Sequence, residues 1–130
     1  MNVTNVDLGG VILESGGFRD DLLTFAGAGT VLAGTILARD SVSLKLIPFV
    51  KGGSTNEDGI PKAVLTYDVT ATAAGDEAIR DMVSGSVRVQ KLIIDADGDA
   101  TNVDNAVIDQ LRDYCLVSID VQELNIQDNQ

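Results

Sequence analysis

The chain has 130 residues, of which 45% are hydrophobic and 4% aromatic, and its 20 acidic and 9 basic residues give a formal net charge of -11. This length suits one domain with a single core, and the acidic charge argues against binding to nucleic acid or anionic membranes. Because the chain has no histidine, catalytic triads and dyads built on histidine and the commonest zinc sites are excluded.

Two further features of the composition bear on where the protein works. Cys115 is the single cysteine, so the chain forms no intrachain disulfide and fits a reducing compartment. No apolar run reaches the ~18 residues of a membrane span, and the N-terminus lacks the basic and apolar regions of a signal peptide. We therefore expect a soluble, unprocessed chain.

The first predicted element is an extended N-terminal arm at Met1–Gly29. Its apolar positions are interrupted by single and paired glycines, and glycine at this density argues against a stable helix. A brief helical or irregular turn is predicted inside the arm, at Phe18–Phe25. An arm with few internal contacts is expected to be ordered on a partner, and a single β-rich domain is placed at residues 30–130.

Three short apolar strands separated by polar turns follow the arm. Runs of β-branched and aliphatic residues favour strands, whereas clusters of glycine, proline, asparagine and aspartate favour turns. Pro48 marks an edge or irregular position in the second strand, and Pro61 fixes the entry into the third. The predicted order is a strand at Thr30–Ala38, a tight turn at Ser41–Lys45, a strand at Lys45–Val50, a polar loop at Gly52–Gly59 and a strand at Ala63–Tyr67.

The second half of the chain carries weaker strand signals and the one predicted helix. Apolar and polar residues alternate weakly over Asp68–Gly75 and strongly over Ser86–Ile94. The helix is predicted at about Val103–Tyr114, with Asn102 or Asp104 as its N-cap. Its apolar face consists of Val107, Ile108, Leu111, Tyr114 and Cys115. A final strand runs through Val117, Ile119 and Val121. The predicted fold is mainly β, a small β-barrel or β-tulip-like domain with one short α-helix near the C-terminus and an extended N-terminal arm.

An acidic segment, Asp95, Asp97 and Asp99, has the spacing of the start of a calcium loop, because acids at alternate positions direct several oxygens at one hard cation. The pattern then fails, since an EF-hand needs glycine at its sixth position and glutamate at its twelfth, where this chain has Ala100 and Ala106. We interpret the segment as an acidic turn between a strand and the helix and keep weak cation binding as the alternative. No metal or other cofactor is predicted.

No other segment concentrates catalytic chemistry. The glycines of Gly27–Gly34 match neither the dinucleotide nor the phosphate-loop spacing, and we interpret them as a backbone hinge. The adjacent acids Asp20 and Asp21, and Asp76 and Glu77, are expected to be solvated, since acid–base catalysis requires two acids in unlike environments within a cleft. Cys115 has no histidine to activate it. We therefore predict that the protein is not an enzyme.

Three places in the sequence resemble the lambda-type bacteriophage head decoration, or capsid cement, proteins. They are Thr35–Ser41 (TILARDS) with Lys45–Phe49 (KLIPF), Gly59–Val69 (GIPKAVLTYDV) after the polar loop, and Ser84–Ile93 (SGSVRVQKLI). The chain departs from the lambda-type pattern in having fewer prolines in its arm, no tryptophan, and an extended acidic C-terminal section with its own helix.

The resemblance implies both a fold and a role. It implies a small β-rich domain with a flexible arm that binds as a homotrimer at the three-fold positions of an expanded capsid. The implied partner is the major capsid protein, with no direct binding to nucleic acid or membrane. The implied location is the outside of the phage head, after synthesis in the host bacterial cytoplasm, and the implied function is stabilisation of the head against internal DNA pressure.

Seven residues are predicted to contact the capsid. The arm is expected to add a strand to the sheet edge of a neighbouring subunit, and the polar loop to provide a second contact. The candidates are Val3, Val6, Val11, Ile12 and Leu13 in the arm and Lys51 and Asn56 in the loop. Two alternatives stay open: a β-domain that binds a small ligand or carbohydrate through Gly52–Gly59, and a less favoured metal-dependent enzyme that uses the acidic turn.

Overall fold

The computed structural model describes residues 11–113 and 116–119, without the side chains of residues 13–15 and 116–119. Within these residues the chain forms ten strands, the helix α1 (Asn105–Asp113) and a 3-10 turn (Val89–Lys91). The strands are β1 (Ile12–Ser15), β2 (Phe18–Phe25), β3 (Gly29–Val31), β4 (Ile36–Arg39), β5 (Leu46–Pro48), β6 (Pro61–Leu65), β7 (Val69–Ala71), β8 (Gly75–Met82), β9 (Gly85–Arg88) and β10 (Leu116–Ile119). In the described ranges, no helix has the length and apolar character needed to cross a membrane.

Five strands close into a barrel in the order β2–β5–β4–β6–β8. The longest ladder is antiparallel and joins β2 to β8 through eight residue pairs, beginning with Phe18 opposite Met82. The contact that closes the barrel has far less backbone pairing, because β2 meets β5 at a single parallel pair, Leu23 and Leu46. We call this contact the β2–β5 seam.

Two ion pairs lie beside the β2–β5 seam. Arg39 Nη1 of β4 is 3.2 Å from Asp21 Oδ1 of β2. Lys45 Nζ, directly before β5, is 2.5 Å from Asp76 Oδ2 of β8, and the other oxygen of Asp76 accepts a hydrogen bond from the Thr24 hydroxyl of β2. Side chains therefore connect β2 and β8 to β4 and β5 where backbone pairing is sparse.

The barrel interior is filled by alternate residues of its strands. In β2 the inward residues are Asp21, Leu23 and Phe25, whereas Leu22 between them is exposed. This period of two is expected for a strand with one buried face. The interior core consists of Leu23, Phe25, Val31, Leu37, Leu46, Ala63, Leu65, Ala71 and Ile79.

A second core lies on the outer side of β4 and β6. The antiparallel β1 and the parallel β10 flank β9 to form a three-stranded sheet, and residues of β1, β9 and α1 pack with the outward residues of β4 and β6. Ile36, Leu37 and Ala38 are therefore all fully buried, and strands buried on both faces read as continuous apolar runs. The second core consists of Val11, Ile36, Ala38, Phe49, Val64, Met82, Val87, Leu92, Ile94, Val107 and Leu111.

Gly34 is the point where the barrel meets the segment after β9. Its N–H donates to the Leu65 carbonyl at 2.6 Å, and its own carbonyl accepts from the Ile93 N–H at 2.8 Å. Its φ of +98° lies in the left-handed region that favours glycine, and a Cβ atom here would collide with the carbonyl oxygen of Lys91. Both backbone conformation and close approach require this glycine, so it is a fixed crossing point and not the hinge expected from the sequence.

Three strand predictions need correction. The helical or irregular turn predicted at Phe18–Phe25 is wrong, because these residues form β2 and pair along their whole length with β8. The strand β8 is missing from the sequence predictions, since two adjacent acids and the buried Asp81 hide its alternation. The strand predicted at Thr30–Ala38 is two strands, β3 and β4, separated by the turn that contains Gly34.

The structure agrees with several other predictions for the fold. The mainly β architecture, the barrel and, within the described residues, one short α-helix are confirmed. The helix lies inside its predicted range, Asp104 caps it by accepting from the N–H groups of Ala106 and Val107, and Val107 and Leu111 are buried on its apolar face. Tyr114 and Cys115 lie outside the described residues.

The predicted arm overlaps the described part of the chain only partly. Residues 1–10 lie outside the described residues, whereas β1 and β2 fall within the range predicted as arm. The division of the chain at residue 29 stays a prediction. Residues 120–130, which include Val121 of the final predicted strand, likewise lie outside the described residues. The part of that strand through Val117 and Ile119 is β10, four residues long.

Candidate functional site

The polar loop between β5 and β6 is held by its own hydrogen bonds. The Asp58 N–H donates to the Thr55 carbonyl at 3.0 Å, and the Thr55 N–H donates back to Asp58 Oδ1 at 3.2 Å. Asn56 and Glu57 adopt φ angles of +49° and +65°, which are unusual for residues other than glycine. The Asn56 carbonyl accepts from the Ser41 N–H at 3.0 Å. These hydrogen bonds therefore hold the loop in a defined conformation at the surface.

The same loop is tied to the start of α1. Lys51 Nζ lies 2.6 Å from Asp104 Oδ2, and the Gln110 amide donates to the Gly59 carbonyl at 3.4 Å. The Lys51 ammonium and the Val107 and Ala106 amides hold the pKa of Asp104 below its ordinary value. Asp104 thus has two roles, as the helix N-cap and as the anion that receives Lys51.

We expect the N-cap role of Asp104 to outweigh the ion pair. Asp104→Ala leaves two amide N–H groups without their acceptor and is expected to lower the thermal midpoint by about 4 °C. Lys51→Met removes only an exposed pair and is expected to change the midpoint by about 1 °C or less. Thermal unfolding followed by circular dichroism measures both, with Asp109→Ala in the exposed middle of α1 as the matched change of charge. Equal midpoints for Asp104→Ala and Asp109→Ala would contradict the capping role.

The predicted capsid-contact residues of the arm occupy different environments. Val3 and Val6 lie outside the described residues, and the side chain of Leu13 is not described. Val11 is only 6% exposed and belongs to the second core, against which the half-buried Ile12 also packs. In this structure Val11 is therefore packed inside its own domain.

The contact residues predicted in the loop are on the surface. Lys51 and Asn56 are both exposed, and they share the hydrogen-bonded loop described above. Val11 and Ile12 instead lie beside β9, where the Val11 carbonyl accepts from the Arg88 N–H at 2.9 Å and Ile12 is paired with Val87. The structure thus describes two separate groups of candidates, and capsid contact by either group stays a prediction.

The turn between β4 and β5, predicted at Ser41–Lys45, has exposed apolar side chains that the sequence predictions do not include. Asp40 Oδ1 accepts from the N–H groups of Val42 and Ser43 at 2.8 and 3.0 Å, and these bonds lower the pKa of Asp40. The turn presents Val42 and Leu44, which are 75% and 66% exposed, and Leu44 has a φ of +64°. The sequence signal was two aliphatic residues inside a predicted turn.

This turn borders a groove of about 580 Å³. Exposed Leu22, Leu44 and Tyr67 line the groove together with the charged Lys45 and Arg80. The Tyr67 hydroxyl accepts a hydrogen bond from the Arg80 N–H at 2.9 Å, so the aromatic ring is held against β8. The groove combines apolar side chains with charged ones at its edge.

The barrel interior contains a pair of carboxyl groups. Asp20 and Asp21 are neighbours in β2 but face opposite ways, since the side chain of Asp20 is 88% exposed and that of Asp21 is 8% exposed. Asp21 is the diagonal neighbour of Asp81 in the β2–β8 ladder, and Asp81 is fully buried. Burial and the neighbouring Asp21 raise the pKa of Asp81 to about 7. Burial opposes ionisation of Asp21 too, but hydrogen bonds from Arg39 and Asp81 outweigh it and its pKa is lowered.

The acidic turn at Asp95–Asp99 uses its polar groups to hold its own conformation. The Asp97 N–H donates to the Ile94 carbonyl, and Asp97 Oδ2 accepts from the Asn102 amide. Asp99 accepts from Thr101, which lowers the pKa of Asp99. The segment is a turn before the helix, as interpreted from the sequence, but the residues before it are the 3-10 turn Val89–Lys91 and isolated β-bridges at Ile93 and Ile94 and not a strand. Among the described residues, no three His, Cys, Asp or Glu side chains come together in a way that could hold a metal ion.

Comparison with protein families decides the assignment. A family model described as Bacteriophage lambda head decoration protein D matches residues 9–115. The chain belongs to this family. The match confirms the resemblance found in the sequence and includes the whole barrel of the decoration protein together with α1. No curated protein matches the chain.

Family membership also fixes the broad role of the decoration protein. It is a structural protein of a bacteriophage capsid, it associates with that capsid, and its location is the virion. The β-barrel is the scaffold that carries the polar loop, the β4–β5 turn and the groove.

Proposed function

We propose that the decoration protein binds the outside of the expanded phage head, contacts the major capsid protein as a homotrimer, and stabilises the lattice against internal DNA pressure. The observation that carries the proposal is the family match over residues 9–115. The mechanism is mass action: a protein that binds only the assembled, expanded lattice stabilises it by its binding free energy. No catalytic step and no direct contact with nucleic acid is needed, and synthesis takes place in the host bacterial cytoplasm.

In this proposal the N-terminal residues are divided between two tasks. Val11 is buried and Ile12 is paired with β9, which supports a role for both in attaching the arm to its own domain. Val3 and Val6, which precede this attachment point in the sequence, are then the proposed anchors on the capsid. The arm adds a strand to a sheet edge of the neighbouring subunit, where backbone hydrogen bonds give affinity and alternate side chains give specificity.

The polar loop is the proposed second contact. Lys51 and Asn56 are exposed, and the internal hydrogen bonds of the loop support binding with little loss of conformational freedom. The family match favours this reading over the alternative in which Gly52–Gly59 binds a small ligand or carbohydrate.

Co-sedimentation with purified capsids tests the proposal. The full-length protein is expected to pellet with expanded capsids and to stay in solution with unexpanded ones. Deleting residues 2–10, which spares Val11, is expected to weaken binding to expanded capsids at least about tenfold, equivalent to about 1.4 kcal/mol. The thermal midpoint of the free protein is expected to stay unchanged.

Deletion of the polar tail at residues 125–130 is the matched control, and full occupancy is expected. Failure of the full-length protein to pellet with either capsid form would overturn the proposed function. Undiminished binding after deletion of residues 2–10 would overturn the role of the arm alone.

A further inference from the structure

Three of the four oxygens of the carboxyl pair inside the barrel lack a hydrogen-bond donor. Asp81 is 0% exposed, and in the β2–β8 ladder Asp21 pairs with Ile79 and Asp81 with Arg19, so the two acids are diagonal neighbours on adjacent strands. With both groups written as carboxylates, Asp21 Oδ2 and both carboxylate oxygens of Asp81 are buried without a donor. Buried polar atoms normally have a partner, and each one left without it is costly. One proton between the two groups would form one O–H···O hydrogen bond, which involves two of these three oxygens.

The positive charges near the pair do not neutralise two buried carboxylates. Arg39 Nη1 lies 3.2 Å from Asp21 Oδ1, but it also donates to the Leu44 carbonyl at 2.9 Å. Arg19 of β2 is 3.7 Å from Asp21, and its side chain is 59% exposed, so solvent screens its charge. Two like charges that share one buried site cannot both ionise easily.

Among the described residues, the ion pairs of Asp21 are with Arg19 and Arg39. β6 places Leu65 opposite Asp81, and its charged residue, Lys62, lies three positions earlier in the strand, at the irregularity of the β4–β6 ladder. β8 contributes Glu77, a further acid at an alternate position. Neither β5 nor β7 contains a charged residue.

We propose that Asp21 and Asp81 hold a single proton between them in the folded protein, and that its release as the pH rises loosens the β2–β5 seam. The link to the seam is Arg39, which contacts both Asp21 in β2 and the Leu44 carbonyl in the turn that leads into β5. The seam has one backbone pair, the fewest of any contact between neighbouring strands of the barrel. A second carboxylate that competes for Arg39 therefore acts where backbone pairing is weakest.

The direction of the pH effect follows from linkage. The pKa of Asp81 is raised to about 7 from an ordinary value of 3.8, so between these values the folded state holds a proton that the unfolded chain has released. The stabilisation is complete below the unfolded value and is lost as the pH rises through the folded one. The lowered pKa of Asp21 acts in the opposite sense and at lower pH. The unfolding equilibrium constant is expected to rise by up to about tenfold per pH unit until about pH 7.

Urea unfolding of the free protein from about pH 5 to about pH 8 tests the proposal. Asp81→Asn keeps the shape of the side chain and remains neutral, so it is expected to abolish most of the rise in the unfolding constant. Asp20→Asn, on the exposed side of the same strand, removes one acid and is expected to keep the wild-type slope. A flat wild-type profile, or equal slopes for wild type and Asp81→Asn, would overturn the proposal.

Two measurements on the wild-type protein make the test independent of whether Asp81→Asn folds. An infrared band of a protonated carboxyl group is expected at about pH 6, where ordinary aspartates are ionised; its absence would overturn the shared proton. Amide exchange, corrected for its intrinsic pH dependence, is expected to lose protection at residues 44–46 more than in the β2–β8 ladder as the proton is released. A uniform loss would overturn the link to the seam.

Discussion

Replacing Gly34 with alanine is expected to destabilise the decoration protein by about 3–5 kcal/mol. The left-handed φ of +98° alone costs an alanine about 1–2 kcal/mol. The added Cβ also collides with the Lys91 carbonyl oxygen, and relieving that collision stretches the hydrogen bonds that Gly34 makes with Leu65 and Ile93. Urea unfolding followed by circular dichroism measures the change in the free energy of unfolding.

The matched control for this substitution is Gly29→Ala in β3. No atom outside its immediate chain neighbours lies within 4 Å of the position a Cβ would take at Gly29, so the change is expected to stay within about 1 kcal/mol of wild type. A loss for Gly34→Ala no larger than that for Gly29→Ala would show that neither the φ angle nor the approach to Lys91 constrains this position.

Truncating Phe49 to alanine is expected to cost about 3–5 kcal/mol. Phe49 directly follows β5, is 1% exposed, and fills the second core between the barrel and α1. The loss combines the transfer of apolar surface with the cavity that remains. The free energy of unfolding from urea titration measures it, and the backbone bond from the Phe49 N–H to the Ile36 carbonyl at 2.9 Å is not changed directly.

Two control substitutions test whether the loss of stability in Phe49→Ala comes from the volume and burial of the ring. Phe49→Leu keeps most of the volume and is expected to cost about 1.5 kcal/mol or less. Val42→Ala, at a side chain that is 75% exposed, is expected to stay within about 0.5 kcal/mol of wild type. A loss below about 1 kcal/mol for Phe49→Ala would mean that the second core closes around the missing ring.

Strands buried on both faces were the easiest part of the fold to predict. β4 and β6 each contain a continuous apolar run, Ile36–Ala38 and Ala63–Leu65, because each lies between two cores, and such a run is visible in the sequence alone. The helix was predictable because the cap, Asp104, and the buried face are local features. β2 and β8 were not, since their inward positions include Asp21 and Asp81, and the ladder that makes both of them strands joins distant parts of the chain.

Residues outside the regular elements also differ in how well the sequence predicts their environment. Lys51 and Asn56 were predicted to lie on an exposed loop because its polar, Gly-rich composition is local. The burial of Val11 depends on the position of β9, which pairs with β1 from much later in the chain. The meeting of Asp21 with Asp81 depends on the register of β2 against β8. Short-range patterns carry no information about either contact.

The register of β2 against β8 also has a consequence for how the chain folds. Phe18 pairs with Met82 and Phe25 with Gly75, so the longest ladder of the barrel is formed by residues remote from one another in sequence. Contacts of this kind require loop closure before they stabilise anything, which slows folding. During synthesis β2 therefore has no β8 to pair with until the ribosome has released that strand. Until then Leu23 and Phe25 are not covered by the barrel.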